Sequence, residues 1–131
     1  MNWINLIELA IIHERVIRET GGVHGITNPG GLESSLARPF TAFGKVELFP
    51  NLISKIAALI HSLVVFHPFA DGNKRTALVA ADVCFRLNGY RLVPSPDVEP
   101  FFWSVARGEK EIEEITVWLR DHMEIWPKKQ S

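Results

Sequence analysis

Apolar residues recur at helical spacing over the first twenty positions. Ile4, Leu6, Ile7, Ala10 and Ile11, followed by Val16 and Ile17, predict one amphipathic helix, which Gly21-Gly22 stops. Residues 21–31 then hold too many glycines, with a proline, for regular structure. The segment Leu32-Glu33-Ser34-Ser35-Leu36-Ala37 predicts a short helical turn that meets Pro39. Between Phe40 and Pro50 neither the helical nor the strand period dominates, which predicts an irregular loop or mobile flap.

The next two elements are far more apolar. Ile53, Ile56, Ala57, Ile60 and Val64 mark one face of a helix from Leu52 to Phe66, and Leu59, Leu63 and Val65 widen that face. A helix apolar nearly all round belongs in the middle of a bundle. Pro68 disfavours helical geometry at His67, so this helix should end there. A second apolar helix is predicted from about Asn73 to Leu87, closed by Asn88-Gly89. Tyr90 to Val93 is at most a short extended piece before Pro94. Helices from about Asp97 to Arg107 and from Glu109 to His122 complete the pattern, with Ser95 or Asp97 as the expected cap of the first. The fold class this predicts is all-α: a compact helical bundle in one domain, 1–131, with an active loop between two central buried helices.

Composition agrees with a folded chain. Of 131 residues, 47% are hydrophobic and 22% charged, which leaves enough apolar mass for one core. With 14 basic against 15 acidic residues and a net charge of -1, no broad basic surface is available, so nucleic acid is not the expected partner. The most apolar run, Ile56 to Phe66, is well short of a membrane span and contains His61. The N-terminus lacks the basic and uninterrupted apolar regions of a signal peptide. The single Cys84 permits no internal disulfide; together these predict a soluble, cytoplasmic protein with Cys84 as a buried structural thiol.

Candidate chemistry is concentrated in His67-Pro68-Phe69-Ala70-Asp71-Gly72-Asn73-Lys74-Arg75. This loop exits into a helix N-terminus, whose free N–H groups and positive dipole end favour an anion. Gly72 allows close backbone approach, and Lys74 and Arg75 add fixed positive charge suited to phosphate. Asp71 suits a magnesium ion, which takes one or two carboxylates and completes its shell with phosphate oxygens and water. His67 supplies an imidazole, the usual general base near neutral pH. The set points to phosphoryl or nucleotidyl transfer, although the glycine spacing of a P-loop is absent.

The motif from His67 to Ala77 resembles the signature of the Fic/Doc family. It shares the Pro and Gly of the Fic pattern HPFxxGNGR, and Asp71 and Lys74 of the Doc pattern HxFxDxNKR. Gly21 to Pro39 is similar to the family's glycine-rich stretch, G-x-x-G-x-x-x-P-G…L-x-S-x-L-x-R-P, at the right distance upstream. The resemblance to the Doc (death-on-curing) branch implies His67 as general base, Asp71 as the magnesium-binding acid, and Gly72 and Asn73 as the anion cradle. It also implies that Lys74 and Arg75 bind the nucleotide phosphates, and that Phe69 anchors the loop inward.

Lys74 stands where AMP-transferring members carry glycine. The resemblance therefore implies transfer of the γ-phosphate of ATP to a threonine or serine of a protein, elongation factor Tu, with inhibition of translation. AMP transfer to a protein hydroxyl is the alternative from the same fold, and a catalytically silent binding module is a third. Ser95-Pro96-Asp97-Val98-Glu99-Pro100 fails the family's inhibitory pattern [ST]xxxE[GN]. The implied brake is then a Phd-like antitoxin, laid as an amphipathic helix in a groove near the glycine-rich segment.

The remaining polar residues have plainer expectations. His61 is a core or interface histidine, and His13, His24 and His122 have no metal-ligand spacing. Asp82 and Arg86 make a helix ion pair at i,i+4. Trp3, Trp103, Trp118 and Trp126 fill the core or partner surfaces.

Overall fold

A computed structural model describes residues 1–127, so the last four positions of the single-domain expectation lie outside the described residues. Helix α1 spans Leu6–Thr20 and α2 spans Pro29–Ala37, followed by a 3₁₀ turn at Arg38–Phe40. A hairpin follows, with β1 at Ala42–Phe43 and β2 at Val46–Glu47. The two central helices are α3, Leu52–Phe66, and α4, Asn73–Arg86. Strand β3 (Tyr90–Leu92), α5 (Val98–Ala106), α6 (Ile112–Asp121) and β4 (Met123–Ile125) complete the order. The architecture is mostly helical, as the periodicity predicts, with two small antiparallel sheets added.

Helix α3 is the axis of the fold. Ile56, Leu59, Ile60 and Leu63 are fully buried, and each such side chain stabilises the fold by about 1.5–3 kcal/mol. Around α3 pack α2, α4, α5 and α6, while α1 lies against α4. The facing residues of α4 are small, Ala77, Ala80 and Ala81, all fully buried. Small side chains let α4 approach α3 closely, which brings the loop joining them into a tight turn.

Element starts follow capping chemistry more than apolar spacing. Helix α1 begins at Leu6 rather than Ile4, because Asn5 and Glu8 form a reciprocal capping box. Helix α2 begins three residues before the expected Leu32: the Asn28 side chain accepts from Gly31 N, and Pro29 fits the first turn despite two following glycines. Helix α6 starts at Ile112 rather than Glu109, with Glu111 and Glu114 as its box.

Two expectations need correction. Segment 40–50 forms a 3₁₀ turn and the β1–β2 hairpin, pairing Ala42 with Glu47 and Phe43 with Val46 around Gly44 at φ 63°. Asp97 occupies the cap position of α5, yet its side chain caps no helix N–H. It instead accepts from the Ser95 hydroxyl and pairs with His122 Nε2 at 2.8 Å. The extended piece at Tyr90–Leu92 has a partner that periodicity did not predict, β4, with Arg91 opposite Glu124. Cys84 is buried as expected, and burial pushes its thiol up to about 12. The Asp82–Arg86 ion pair forms at 2.9 Å.

Candidate active site

The loop after α3 reverses at His67, which has φ 50° and ψ 57° and is the only described non-glycine residue at positive φ. Left-handed geometry at a histidine costs about 1–2 kcal/mol, so other contacts must hold it. They come from the glycine-rich segment, which runs beside the loop as an antiparallel partner. Thr27 N and Asn28 N both donate to the Pro68 carbonyl, Ala70 N donates to the Gly25 carbonyl, and Asn28 Nδ2 donates to the Phe66 carbonyl. An isolated bridge joins Ile26 to Phe69. The two stretches that carry the family resemblance are therefore one structural unit.

Inside the turn, Asn73 acts as a clamp. Its side chain accepts from Phe69 N at 3.0 Å and donates to Phe69 O at 2.9 Å, all within buried surroundings. Phe69 is fully buried and stacks face to face on His13, with ring centroids 3.8 Å apart. His13 Nε2 lies 2.8 Å from the Asp71 carbonyl oxygen. That oxygen can only accept, so Nε2 carries the proton. His13 thus ties α1 to the middle of the loop, a role its scattered position in the sequence does not show. Its register with Leu9, Val16 and Ile17 on the buried face of α1 is the one available signal.

Asp71 turns its carboxylate toward two backbone N–H groups, Gly72 N at 2.8 Å and Val23 N at 3.2 Å. The Val23 bond and then the Gly72 bond hold the carboxyl below its ordinary range, with Arg75 and Lys74 adding to the effect, so Asp71 is anionic at neutral pH. Gly22 makes the approach possible: it sits at φ 122°, and a Cβ there would stand 2.5 Å from Asp71 Oδ2. Gly72, at φ 77°, starts α4 with no side-chain cap. The first N–H groups of α4 therefore have no side-chain acceptor and face the site.

The two cations at this helix start are held differently. Arg75 donates to the Gly21 carbonyl at 2.8 Å and to the Thr20 hydroxyl, and its other nitrogen lies 3.5 Å from Asp71 Oδ1. Lys74 reaches the other way, with Nζ 3.6 Å from the centre of the Trp103 ring. Trp103 is 47% exposed and belongs to the rim of the site rather than to the core. His67, Asp71, Gly72, Asn73, Lys74 and Arg75 all line one cavity of about 240 Å³, closed by Val64 and Ala106. The structure thus brings every expected site residue to one cavity, where an imidazole, a carboxylate, two cations and a helix start share the lining, groups able to support phosphoryl or nucleotidyl transfer.

Of the histidines, His67 alone lines this cavity among the described residues. His61 Nδ1 accepts from Arg38 at 2.9 Å; burial and then the Arg38 charge pull its proton affinity down. Among the described residues, no three His, Cys, Asp or Glu side chains cluster as a metal-binding group.

Residues 3–85 match the Fic/DOC family, well over half of the chain. The chain belongs to this family. It is 39% identical over 79 residues to Toxin Doc of Mycolicibacterium smegmatis, a match covering 60% of this chain and 61% of that protein, so less than two thirds of the relative's length is spanned. It is also 30% identical over 120 residues to Protein kinase doc of Escherichia phage P1, covering 92% of this chain and 94% of that one. The match includes both the glycine-rich partner segment and the whole loop. No described helix is long and apolar enough to cross a membrane.

Proposed function

We propose that the protein is a Doc-like toxin that transfers the γ-phosphate of ATP to a threonine or serine hydroxyl of a protein, elongation factor Tu, and so stops translation. The observation that carries this reading is Lys74, which lines the cavity beside the uncapped start of α4. Family members that transfer AMP have glycine at this position. A lysine there both narrows the cradle and adds a mobile positive charge. The phage P1 relative, whose name is that of a kinase, supports the same choice.

In this mechanism His67 accepts the proton of the target hydroxyl as its oxygen attacks the γ-phosphorus. The bond from that phosphorus to the β-bridging oxygen breaks, and ADP leaves with the bonding electron pair. Lys74, Arg75 and the N–H group of Asn73 offset the charge that develops on the phosphates, and Gly72, whose own N–H donates to Asp71, lets the backbone approach them. Asp71 is the residue to hold magnesium, since its anionic carboxylate is 44% exposed and lines the cavity. A single carboxylate with nucleotide oxygens and water suits that ion, which would supply charge neutralisation and phosphate orientation. The Asn73 clamp and His13 keep this geometry formed in advance.

The proposed cytoplasmic partner is a Phd-like antitoxin docking near the glycine-rich segment. Val23 and Ile26 are exposed there, as are Ile7 and Ile11 one turn apart on α1, apolar surface of the kind an amphipathic helix covers. Incubation with a target protein and ATP labelled on either the α- or the γ-phosphate tests the chemistry. Label should pass only from γ-labelled ATP, and His67→Ala should lower the rate by about 10²–10⁴-fold. Transfer from α-labelled ATP would overturn the kinase reading in favour of AMP transfer, and no transfer from either would favour a binding module.

A further inference from the structure

Of the charged side chains around the start of α4, Asp71 and Arg75 face each other at 3.5 Å, whereas Lys74 pairs with no carboxylate among the described residues. Two carboxylates share its surroundings: Asp71 lines the phosphate cavity with it, and Glu99 lines a neighbouring depression with it. The Lys74 ammonium instead stands 3.6 Å from the centre of the Trp103 ring. An ammonium gains more from an indole face than from a carboxylate three positions away on an exposed helix surface. The ring is held in place through its neighbour: Phe102 is buried and meets Trp118 edge to face at 6.1 Å, which anchors α5 beside α4. Of the groups that hold the Asp71 carboxyl below its ordinary range, the Val23 and Gly72 N–H groups act most and the Lys74 charge least.

Taking Asp71 as the magnesium ligand of the proposed transfer, we infer that Trp103 is a positioning residue. Its indole face holds the Lys74 ammonium off the Asp71 carboxylate and so keeps that carboxylate open to a divalent cation. Without the indole, the flexible lysine chain falls back on the carboxylate of its own cavity, and an ammonium seated there competes with the metal for the same oxygens. With the indole, the ammonium waits at the rim of the phosphate cavity, available to the phosphates when they arrive.

A double-mutant cycle between Trp103→Leu and Lys74→Met tests this, read as manganese binding to the nucleotide-free protein by water-proton relaxation. Manganese stands in for magnesium because it also takes carboxylate and water oxygens. Trp103→Leu should weaken manganese about two- to fivefold, the range of a cation–π contact at an exposed site. Trp103→Phe should recover most of that loss. With Lys74→Met in place, Trp103→Leu should have no effect, because no ammonium is left to fall on Asp71.

Trp103 is half exposed, so the variants should fold, and circular dichroism checks this. A second measurement needs no variant: in wild type the ε-methylene protons of Lys74, held over the ring, should resonate upfield of those of the other lysines. Unchanged manganese affinity in Trp103→Leu, equal weakening with and without Lys74, or ordinary Lys74 shifts in wild type would each overturn the positioning role. In those cases γ-label transfer by wild type would leave the kinase reading standing. The coupling without any γ-label transfer would remove the kinase reading alone, and failure of wild type to bind manganese would remove the Asp71 assignment and the Trp103 role together.

Discussion

The loop at the C-terminal end of α3 and the hairpin before its N-terminal end differ in what holds them. In the loop, both peptide groups of Phe69 meet Asn73, the Asp71 carbonyl meets His13, and the Asp71 carboxylate meets two backbone N–H groups. The hairpin is pinned chiefly at its base. There the buried Lys55 donates to the Glu47 carboxylate at 3.1 Å and to the Phe49 carbonyl, and lies over the Phe40 ring. Its outer residues, Phe43 and Val46, are 71% and 69% exposed. The loop is thus held by its own contacts, the preorganisation that the proposed transfer chemistry requires. The hairpin keeps Phe43 and Val46 on the surface, apolar area of the kind a protein partner covers.

The sharpest way to break this contrast is Asn73→Ala. It leaves two buried backbone groups of Phe69 without partners, at about 1–3 kcal/mol each. Thermal or urea unfolding should therefore show a loss of about 2–6 kcal/mol, with transfer activity falling along with it. An equally stable variant would show that the clamp is not what fixes the loop.

His13 comes next. His13→Leu removes both the donor to the Asp71 carbonyl and the stack on Phe69, at about 1–3 kcal/mol. His13→Gln restores a donor and should recover part of the stability. As a positioning residue, His13 should also alter the KM for magnesium ATP; a variant that lost stability with unchanged kinetic constants would reduce it to a packing role.

On the hairpin, Phe43→Ser should change stability by no more than about 0.5 kcal/mol. ATP binding should be untouched while modification of the protein target slows several-fold. Equal target modification by wild type and variant would detach the hairpin from target contact.

The smallest effect lies remote from both segments, at the His122–Asp97 pair. Burial pulls the His122 proton affinity down, but Asp97 and the Trp118 carbonyl outweigh it, so the folded value lies above the ordinary 6.5. The pair's contribution is therefore complete between the ordinary carboxyl value of 3.8, above which Asp97 is ionised, and about pH 6.5, and it fades as pH rises through the folded His122 value. Asp97→Asn should lower the melting temperature slightly at pH 5.5 and leave it unchanged at pH 9 in a series of melts. A deficit that grew with pH would contradict this assignment.

The parts of the molecule legible in the sequence were those with a repeating physical signal. The apolar stripes of Ile56, Ile60 and Leu63 and the alanines of α4 announced two central helices, and the dense run from His67 to Arg75 announced the site. His13 was not legible, because its partner is a backbone carbonyl 58 residues away, and backbone groups leave no trace in composition. Trp103 was hidden for a similar reason: only the packing of α5 beside α4 brings it to Lys74. The hairpin escaped notice because two-residue strands are too short for alternation to register. Asp97 had the right residue type at the right place for a cap, and lost that role to a histidine 25 positions away.

The central claim is that a loop locked by Asn73 and His13 presents His67 to the γ-phosphate of a nucleotide held by Lys74 and Arg75. Mass spectrometry of elongation factor Tu after incubation with the protein and magnesium ATP tests it most directly. The account predicts the gain of one phosphate on a threonine or serine, absent with His67→Ala; the gain of one AMP, or a phosphate that persists without His67, would contradict it.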